Sequence, residues 1–234
     1  MEESEYFLKD LYTVFQPIVY CSDTPTIDRY EILLRSHRES GFPQNAFSWF
    51  IEDERRNAQL MGFYVDTLTK IMATHCDTRW SLNLHPKQLQ HPSTWHFLDL
   101  FSLKKEYLSL ELTEHYCEFN QPEKMNMLYD YISKLKNTGF SIAIDDVGSG
   151  QNNLEMIANN TDNIHTIKIS LLNFMNLNEG VMFRFLDSWL NLSQHYQLNL
   201  IVEGVESEYV SKKLTQLGIL YQQGYYHGHG KLFD

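Results

Sequence analysis

The chain has 234 residues, 43% of them hydrophobic, and its 19 basic and 30 acidic side chains give a net charge of −11. This negative charge opposes nonspecific binding to a nucleic-acid backbone, so DNA is not an expected partner. No run of about 18 apolar residues suggests a membrane segment, and the acidic start does not resemble a signal peptide, so we expect a cytoplasmic protein. The length suits one large domain, which we place at residues 1–234.

Apolar runs in the sequence predict eight strands. They lie at about 12–19, 27–35, 80–85, 107–114, 140–146, 164–170, 198–203 and 220–226. Helical patterns fill the intervals after the second strand, at 57–75, 86–101, 121–139, 151–160, 179–197 and 207–218. Only six residues, CSDTPT, separate the first two strands, which is too short for a helical crossover. We therefore expect an α/β fold, a (β/α)8 barrel with an antiparallel first strand.

Alternation along the strands separates an apolar face from a polar one, and in a barrel one of these faces points toward the axis. The strand WSLNLH, for example, sets Trp80, Leu82 and Leu84 against Ser81 and Asn83. On this basis, seven polar side chains would meet near the carboxyl ends of the strands. The alternation assigns the inward face less clearly in the second and eighth strands, which carry Glu31 and Gln223. The seven side chains are Glu31, Asn83, Glu111, Asp145, Lys168, Glu203 and Gln223.

This polar set predicts an active site, because an ordinary barrel fills its axis with branched apolar side chains. Buried carboxylates at this density repel one another, and one lysine does not balance them. A set of oxygen ligands without His or Cys favours hard divalent cations over zinc. Two such ions about 3.5–4 Å apart would share a carboxylate and activate a water for hydrolysis of a phosphate ester.

Several short motifs along the chain together resemble those of the EAL-domain family. They are FQPIV (15–19), EILLR (31–35), LNLHPKQL (82–89), ELTE (111–114), IDDVGSG (144–150), IKI (167–169), VEGVE (202–206) and QGY (223–225). The resemblance implies a modified TIM-type barrel and a bacterial phosphodiesterase that opens cyclic di-GMP to linear pGpG. It also implies two Mg²⁺ or Mn²⁺ ions per site and a homodimer.

The resemblance assigns roles to individual residues. It implies metal ligation by an acidic and amide set that comprises Glu31, Asn83, Glu111, Asp145, Asp146 and Glu203. Lys168 resembles the lysine that orients or activates the attacking water, and Glu31 and Glu203 complete the catalytic set. Three further residues resemble those that bind the substrate. Gln16 resembles a contact to its base, Arg35 resembles a contact to its phosphate, and Gln223 resembles the glutamine that closes the pocket. Glu114 resembles the glutamate that anchors the glycine-bearing loop.

The motif IDDVGSG contains two adjacent aspartates that strict alternation would send to opposite faces. Asp145 and Asp146 both reach the site only if the strand ends and the chain bends between them, and we expect the following glycines to permit this bend.

Three positions depart from the family pattern: Ile32, Val147 and Ser149. We expect Ile32 to pack toward the helices and leave the carboxylate of Glu31 in place.

Two further features leave alternatives open. The closing segment YYHGHGKLFD also departs from the family pattern, and its His227 and His229 form an HxH pair that we interpret as a solvated loop rather than a metal site. One or two aromatic side chains near the strand ends would stack on guanine, but the sequence does not select them. The departures motivate an alternative function. The chain would then be a binding module that recognises cyclic di-GMP, or a protein partner, without cleaving the nucleotide. A third hypothesis is a metal-dependent barrel enzyme that acts on a different phosphate ester.

The chain has three cysteines, Cys21, Cys76 and Cys117, which are odd in number and widely spaced. This pattern argues against a disulfide framework or a zinc site, and we expect all three to be buried free thiols.

Overall fold

Eight strands close into one barrel in chain order in the computed structural model, which describes residues 8–113, 122–148 and 152–233, with side chains in the second range from residue 125. The strands are β1 (Leu11–Tyr20), β2 (Thr26–Ser36), β3 (Trp80–Leu84), β4 (Leu108–Leu112), β5 (Ser141–Ile144), β6 (Thr166–Ser170), β7 (Asn199–Glu203) and β8 (Tyr221–Gln223). All eight predicted strands are therefore confirmed, with bounds that differ by a few residues.

The first strand runs opposite to its neighbours. Strand β1 pairs antiparallel with both β2 and β8, and the pairs from β2 to β8 are parallel. The hairpin between β1 and β2 leaves only residues 21–25 for the connection, so a helix cannot form there. The predicted barrel with an antiparallel first strand is confirmed.

Helices cover the outside of the barrel. They are α1 (Gln44–Phe50), α2 (Glu54–Thr74), α3 (Pro92–Leu100), α4 (Pro122–Thr138), α5 (Leu154–Ala158), α6 (Glu179–His195) and α7 (Glu208–Leu217). The single helix expected at 86–101 is instead a 3₁₀ helix, Pro86–Gln90, followed by α3. Pro92 opens α3 because proline cannot donate the backbone hydrogen bond that would continue the preceding turn. Helix α1 was not predicted.

The main core lies between the outward faces of the strands and the helices. Trp80, Leu82 and Leu84 of β3 are fully buried in it. Ile32 is also buried there, as expected for the residue on the face opposite Glu31. Val147, just after β5, belongs to the same core. Ile32 and Val147, two of the departures from the family pattern, are thus apolar side chains packed away from the barrel axis.

The cysteines only partly follow the sequence expectation. Cys21 is a buried free thiol, whereas Cys76 is free but exposed, so the expectation of a buried thiol is wrong there. Helix α2 ends at Thr74, and Cys76 lies in the solvent-facing turn that leads to β3. Cys117 lies outside the described residues. Within the described ranges, none of the helices combines the length and the apolar character that crossing a membrane requires.

The end of β8 packs tightly against the segment after β7. A Cβ atom on Gly224 would lie 2.2 Å from the carbonyl oxygen of Val205 and 2.3 Å from its nitrogen. The backbone of Val205 is itself fixed, because its N–H donates to Gln223 and its carbonyl accepts from Tyr226, both at 3.0 Å. Only glycine at position 224 allows this approach.

Replacing Gly224 with alanine should therefore destabilise the fold by about 1–3 kcal/mol, since backbone atoms rather than a flexible side chain obstruct the new methyl group. Gly62 is the matched control: it lies on the exposed face of α2, and a Cβ atom added there would have no neighbouring atom within 4 Å. Gly62→Ala should stabilise the protein by about 0.5–1 kcal/mol through helix propensity. Urea denaturation of both variants measures the two effects, and equal effects of the same sign would contradict this account.

Candidate active site

The inward-facing polar side chains meet around one buried lysine. Lys168 lies at the middle of β6 and is fully buried. Its Nζ lies 2.5 Å from a carboxylate oxygen of Glu111, 3.3 Å from Glu31 and 3.6 Å from Asp145, and it also contacts Glu203. Four strands, β2, β4, β6 and β7, together with the residue that follows β5, supply this cluster. Four carboxylates thus face one ammonium group.

Two amides hold Glu31 from the sides. Asn83 Nδ2 donates to Glu31 Oε1 at 2.6 Å, and Gln223 Nε2 donates to Glu31 Oε2 at 2.7 Å. Gln223 Nε2 also lies 3.3 Å from the Oε1 atom of Gln16, so the predicted substrate contact on β1 joins the same network. The parallel register places Asn83 of β3 directly opposite Glu111 of β4. The seven residues predicted to converge are therefore brought together.

Burial and the single cation set the protonation of this cluster. Burial raises the pKa of Glu203 to about 7 and holds the pKa of Asp145 well above its ordinary value, while Lys168 acts in the opposite direction on both. Burial also raises the pKa of Glu111. Burial opposes ionisation of Glu31 as well, but Lys168 and the two amide donors outweigh it and its pKa is lowered. The carboxylates in turn raise the pKa of Lys168 well above its ordinary value, despite the burial that opposes its charge.

The chain bends immediately after β5, as the two adjacent aspartates require. Asp146 has a φ angle of 51°, a left-handed conformation that is uncommon for residues other than glycine. Its N–H donates to Asp145 Oδ1 at 2.9 Å, and its own Oδ1 accepts from Asn173 Nδ2 at 2.7 Å. The bend that we expected from the glycines therefore begins at Asp146 itself. Asp145 joins the Lys168 cluster, and Asp146 faces the segment after β6.

Hydrogen bonds fix the start of the glycine-bearing loop. The N–H of Val147 donates to the carbonyl of Lys168 at 2.8 Å, and the N–H of Gly148 donates to the carbonyl of Asn152 at 2.8 Å. The buried side chain of Asn152 donates to the carbonyl of Asp145. Sequence reasoning did not identify Asn152 or Asn173 as part of the site. Only their positions in the fold, next to Asp145 and Asp146, mark them as partners of the two aspartates. Glu114, the predicted loop anchor, and Ser149 lie outside the described residues.

Two cavities adjoin the cluster and share Glu31. The first has a volume of about 320 Å³ and contains the predicted phosphate contact Arg35. Arg35 donates to the carbonyl of Leu34 at 2.8 Å. Five residues of β2 line the first cavity, together with Phe47 of α1 and Asn83 of β3. Phe42, His85 and Asp145, which lie outside these elements, also line it. The second has a volume of about 260 Å³ and contains Gln16, Glu203 and Gln223.

The donor chemistry of the cluster suits hard divalent cations. Its ligand atoms are carboxylate and amide oxygens, and its four carboxylates outnumber its one ammonium group. Within the described ranges, however, no three His, Cys, Asp or Glu side chains stand in an arrangement ready to hold a metal ion. The oxygens instead point at Lys168. Metal binding would therefore require the carboxylates to turn partly away from the ammonium group.

Comparison with known proteins gives a consistent family assignment. The family model for the EAL domain matches residues 6–229. The chain is 30% identical over 132 residues to a Vibrio parahaemolyticus protein named cyclic di-GMP phosphodiesterase TpdA, a match that covers 56% of this chain and 22% of that protein. It is 32% identical over 152 residues to an Escherichia coli protein named probable cyclic di-GMP phosphodiesterase PdeI, covering 62% of this chain and 18% of that one. The chain thus spans about a fifth of the length of these relatives.

Solved structures share the fold. A stand-alone EAL protein from Vibrio cholerae in a form bound to c-di-GMP superposes with a TM-score of 0.73 at 23% identity, covering 95% of this chain and 93% of that one. Klebsiella pneumoniae BlrP1 in a manganese and cyclic di-GMP complex gives a TM-score of 0.75 at 21% identity, covering 94% of this chain and 56% of that one.

Replacing Lys168 with methionine should destabilise the metal-free protein strongly above neutral pH, by about 3–5 kcal/mol, because the carboxylates lose their buried counter-charge. The pKa of Glu203 is about 7 in the folded protein against an ordinary 4.5, so Glu203 takes up a proton below that pH, the negative charge of the cluster falls and the missing cation costs less. The loss of stability should therefore shrink as pH falls from 8 to 5.5.

Urea denaturation in a chelator at both pH values measures this difference. Lys212 is the control, because it is an exposed lysine paired with Glu208 at 2.7 Å, and Lys212→Met should leave stability unchanged at either pH. A Lys168→Met loss of equal size at pH 5.5 and 8 would argue against charge balance as its cause.

Proposed function

The chain belongs to the EAL-domain family, and from that premise we propose that it is a metal-dependent phosphodiesterase that hydrolyses cyclic di-GMP to linear pGpG. A single barrel domain over residues 1–234 would carry the activity. The observation that supports this proposal most is the convergence of Glu31, Glu111, Asp145 and Glu203 on Lys168 at the axis of the barrel. The names of the relatives supply the substrate.

The proposal includes two Mg²⁺ or Mn²⁺ ions, held by Asn83, Asp146 and the four carboxylates of the cluster. When bound, such ions neutralise charge on the phosphate and make water more acidic. Residues of the chain position the attacking water and the phosphate. The ammonium of Lys168 donates to the attacking water and orients it, and Arg35 binds a non-bridging phosphate oxygen from the first cavity.

The hydrolysis breaks one bond and forms one. The water oxygen attacks phosphorus, the phosphorus bond to the ribose 3′ oxygen breaks, and the phosphate remains on the 5′ carbon of the other nucleotide. A carboxylate of the cluster accepts the proton of the water, for which Glu203 is suited because burial raises its pKa to about 7. The departing 3′ oxygen takes up a proton, and the product is the linear dinucleotide.

A binding module without turnover is the second candidate. This candidate is favoured because the ammonium group of Lys168 already contacts the carboxylate oxygens that the metal ions would need as ligands. Binding of cyclic di-GMP would then use Gln16, Arg35 and Gln223 around a site in which the carboxylates stay paired with lysine.

Chromatography of cyclic di-GMP incubated with the protein and Mg²⁺, Mn²⁺ or a chelator should show pGpG only with metal. Glu31→Gln should lower kcat by at least about 100-fold, as expected when a charged group at the reacting centre is lost. Glu106→Gln, at an exposed turn, is the control and should retain full activity. Binding of cyclic di-GMP without product in either metal would instead support the binding module, and full activity of Glu31→Gln would remove that residue from the site.

We also propose that the protein forms a homodimer through the segment after β6. This segment and the start of α6 expose five apolar side chains: Leu172, Met175, Leu177, Val181 and Phe185. The rings of Phe174 and Phe185 lie 6.2 Å apart and join the two parts of the surface. Asn173 in the same segment donates to Asp146, so the proposed interface adjoins the metal site.

Sedimentation should report a dimer that Met175→Asp converts to a monomer, because a charge would be buried at the interface. Met175 is 75% exposed, so the substitution does not disturb the core. Leu103→Asp is the control, since Leu103 is 95% exposed in the short 3₁₀ helix between α3 and β4, outside the proposed interface, and its replacement should leave the dimer intact. A monomeric wild-type protein, or a Met175→Asp dimer of unchanged affinity, would refute this interface.

A further inference from the structure

The closing segment returns to the barrel wall after β8 and is fixed against β1. Lys231 pairs with Phe15 in an antiparallel bridge, in which the two backbones exchange hydrogen bonds of 2.8 and 3.1 Å. Gly230 packs so closely that a Cβ atom there would lie 2.8 Å from the side chain of Val14. The segment that contains the HxH pair is therefore held by the barrel at this point.

One aromatic side chain near the end of the segment acts as its anchor. The ring of Phe233 meets four aromatic rings edge-on, with centroid distances of 4.9 to 5.3 Å and interplanar angles of 77° to 88°. These rings belong to Phe15, Tyr30, His75 and Trp80. Edge-to-face pairs at such distances are attractive, so a single ring ties the segment to β1, β2 and β3. The preceding residue, Leu232, is by contrast 64% exposed.

The closing segment reaches the candidate active site through one backbone carbonyl. The carbonyl of Gly228 accepts a hydrogen bond from Gln16 Nε2 at 3.2 Å. This close approach needs glycine, because a Cβ atom at position 228 would lie 2.9 Å from the ring of Pro17. Gln16 in turn lines the second cavity. The anchor at Phe233 and the cavity are thus connected through the backbone of the segment.

Two acceptors at the ends of a short hydrogen-bond chain fix the orientation of the Gln16 amide. At one end, the carboxylate of Glu31 accepts from Gln223 Nε2 at 2.7 Å, and the same Nε2 donates to Gln16 Oε1 at 3.3 Å. At the other end, the carbonyl of Gly228 can only accept, so it requires the Nε2 atom of Gln16. Without this carbonyl, the contact of 3.3 Å, which is long for a hydrogen bond, would alone oppose a flip of the amide.

We propose that the closing segment orients Gln16 for substrate binding, and that Phe233 is the positioning residue that holds the segment in place. Phe233 lines neither of the two cavities beside the acidic cluster, so it acts through Gly228 and Gln16. The orientation of the amide decides which donor and acceptor atoms of Gln16 a ligand in the second cavity meets. This inference rests on the proposed function, because that function supplies the nucleotide.

The ligand-free protein provides the first test, through the side-chain amide signals of Gln16 in a nitrogen–proton NMR correlation spectrum. Gln16→Ala identifies these signals by removing them. Phe233→Ala should shift them, because the Gly228 carbonyl is no longer held beside the amide. Leu232→Ala is the matched control from the same segment and should leave them in place. Unchanged Gln16 signals in Phe233→Ala would overturn the proposal.

The second test measures calorimetric binding of cyclic di-GMP in Ca²⁺, and kcat and KM in Mn²⁺. Phe233→Ala should weaken binding and raise KM by about 2- to 13-fold, the contribution of one hydrogen bond, while kcat changes less than about twofold. Phe233→Leu keeps a large apolar side chain and should recover most of the affinity. Leu232→Ala should bind as the wild type does, and a loss equal to that of Phe233→Ala would count against a specific anchor.

A double-mutant cycle separates positioning of Gln16 from a general loss of structure. Phe233→Ala should cause no further loss of affinity in a Gln16→Ala protein, because its effect passes through that side chain. Additive losses would overturn the proposal. Thermal denaturation checks the folding of every variant. If Phe233→Ala does not fold, Gly230→Ala takes its place, because the added methyl group would push the same segment away from Val14.

The outcomes distinguish the positioning role from the enzyme. Normal hydrolysis with unchanged KM in Phe233→Ala would overturn the positioning role and leave the phosphodiesterase standing. Shifted Gln16 signals and weakened binding, without product in any metal, would support the positioning role and overturn the phosphodiesterase. A wild-type protein that does not bind cyclic di-GMP would overturn the proposed function, and the Gln16 signals would then decide the role of Phe233 alone.

Discussion

The interaction on which the site depends is the buried ammonium group of Lys168 among four carboxylates. An ionised carboxylate loses its hydration when buried, and several together repel one another, so without a counter-charge they would protonate or turn outward. Lys168 keeps Glu31 and Glu111 close to the axis. An imbalance of four acids to one base remains, and it suits the divalent cations that we propose for this site. The same lysine therefore holds the acids together and leaves an excess of acidic groups.

The antiparallel first strand shapes what surrounds this centre. Because β1 runs against β2 and β8, its Gln16 side chain reaches the acidic cluster from a strand whose chain direction is reversed. The reversal also lets the residues after β8 run back along β1, as the Phe15–Lys231 bridge shows. A regular barrel would place a helix there. The closing segment instead forms one wall of the second cavity.

The sequence supported accurate prediction of the fold and of the polar centre, because both depend on local patterns. Alternation within a strand decides which side chains face the axis, and it correctly grouped Asn83, Glu111 and Lys168. Contacts made by chain segments without periodicity were not predictable. Helix α1 is only seven residues long, too short for its mixture of apolar and uncharged polar residues to show a helical period, and the stacking of Tyr225 on His229 depends on the path of a loop. Alternation also stops being informative where a strand ends, which is why the bend at Asp146 was expected only in outline.

That bend links the chemistry to the rest of the molecule. Asp145 and Asp146 are adjacent in sequence, yet one belongs to the Lys168 cluster and the other bonds to Asn173. A left-handed conformation at a residue other than glycine has an energetic cost, and it persists only where surrounding contacts hold it. Here the holding contacts come from Asp145 and Asn173. A displacement of the segment after β6 would therefore act first on Asp146 and, through the shared backbone, on Asp145. Among the described residues, the exposed apolar surface of that segment is thus in a position to alter the acidic centre from outside.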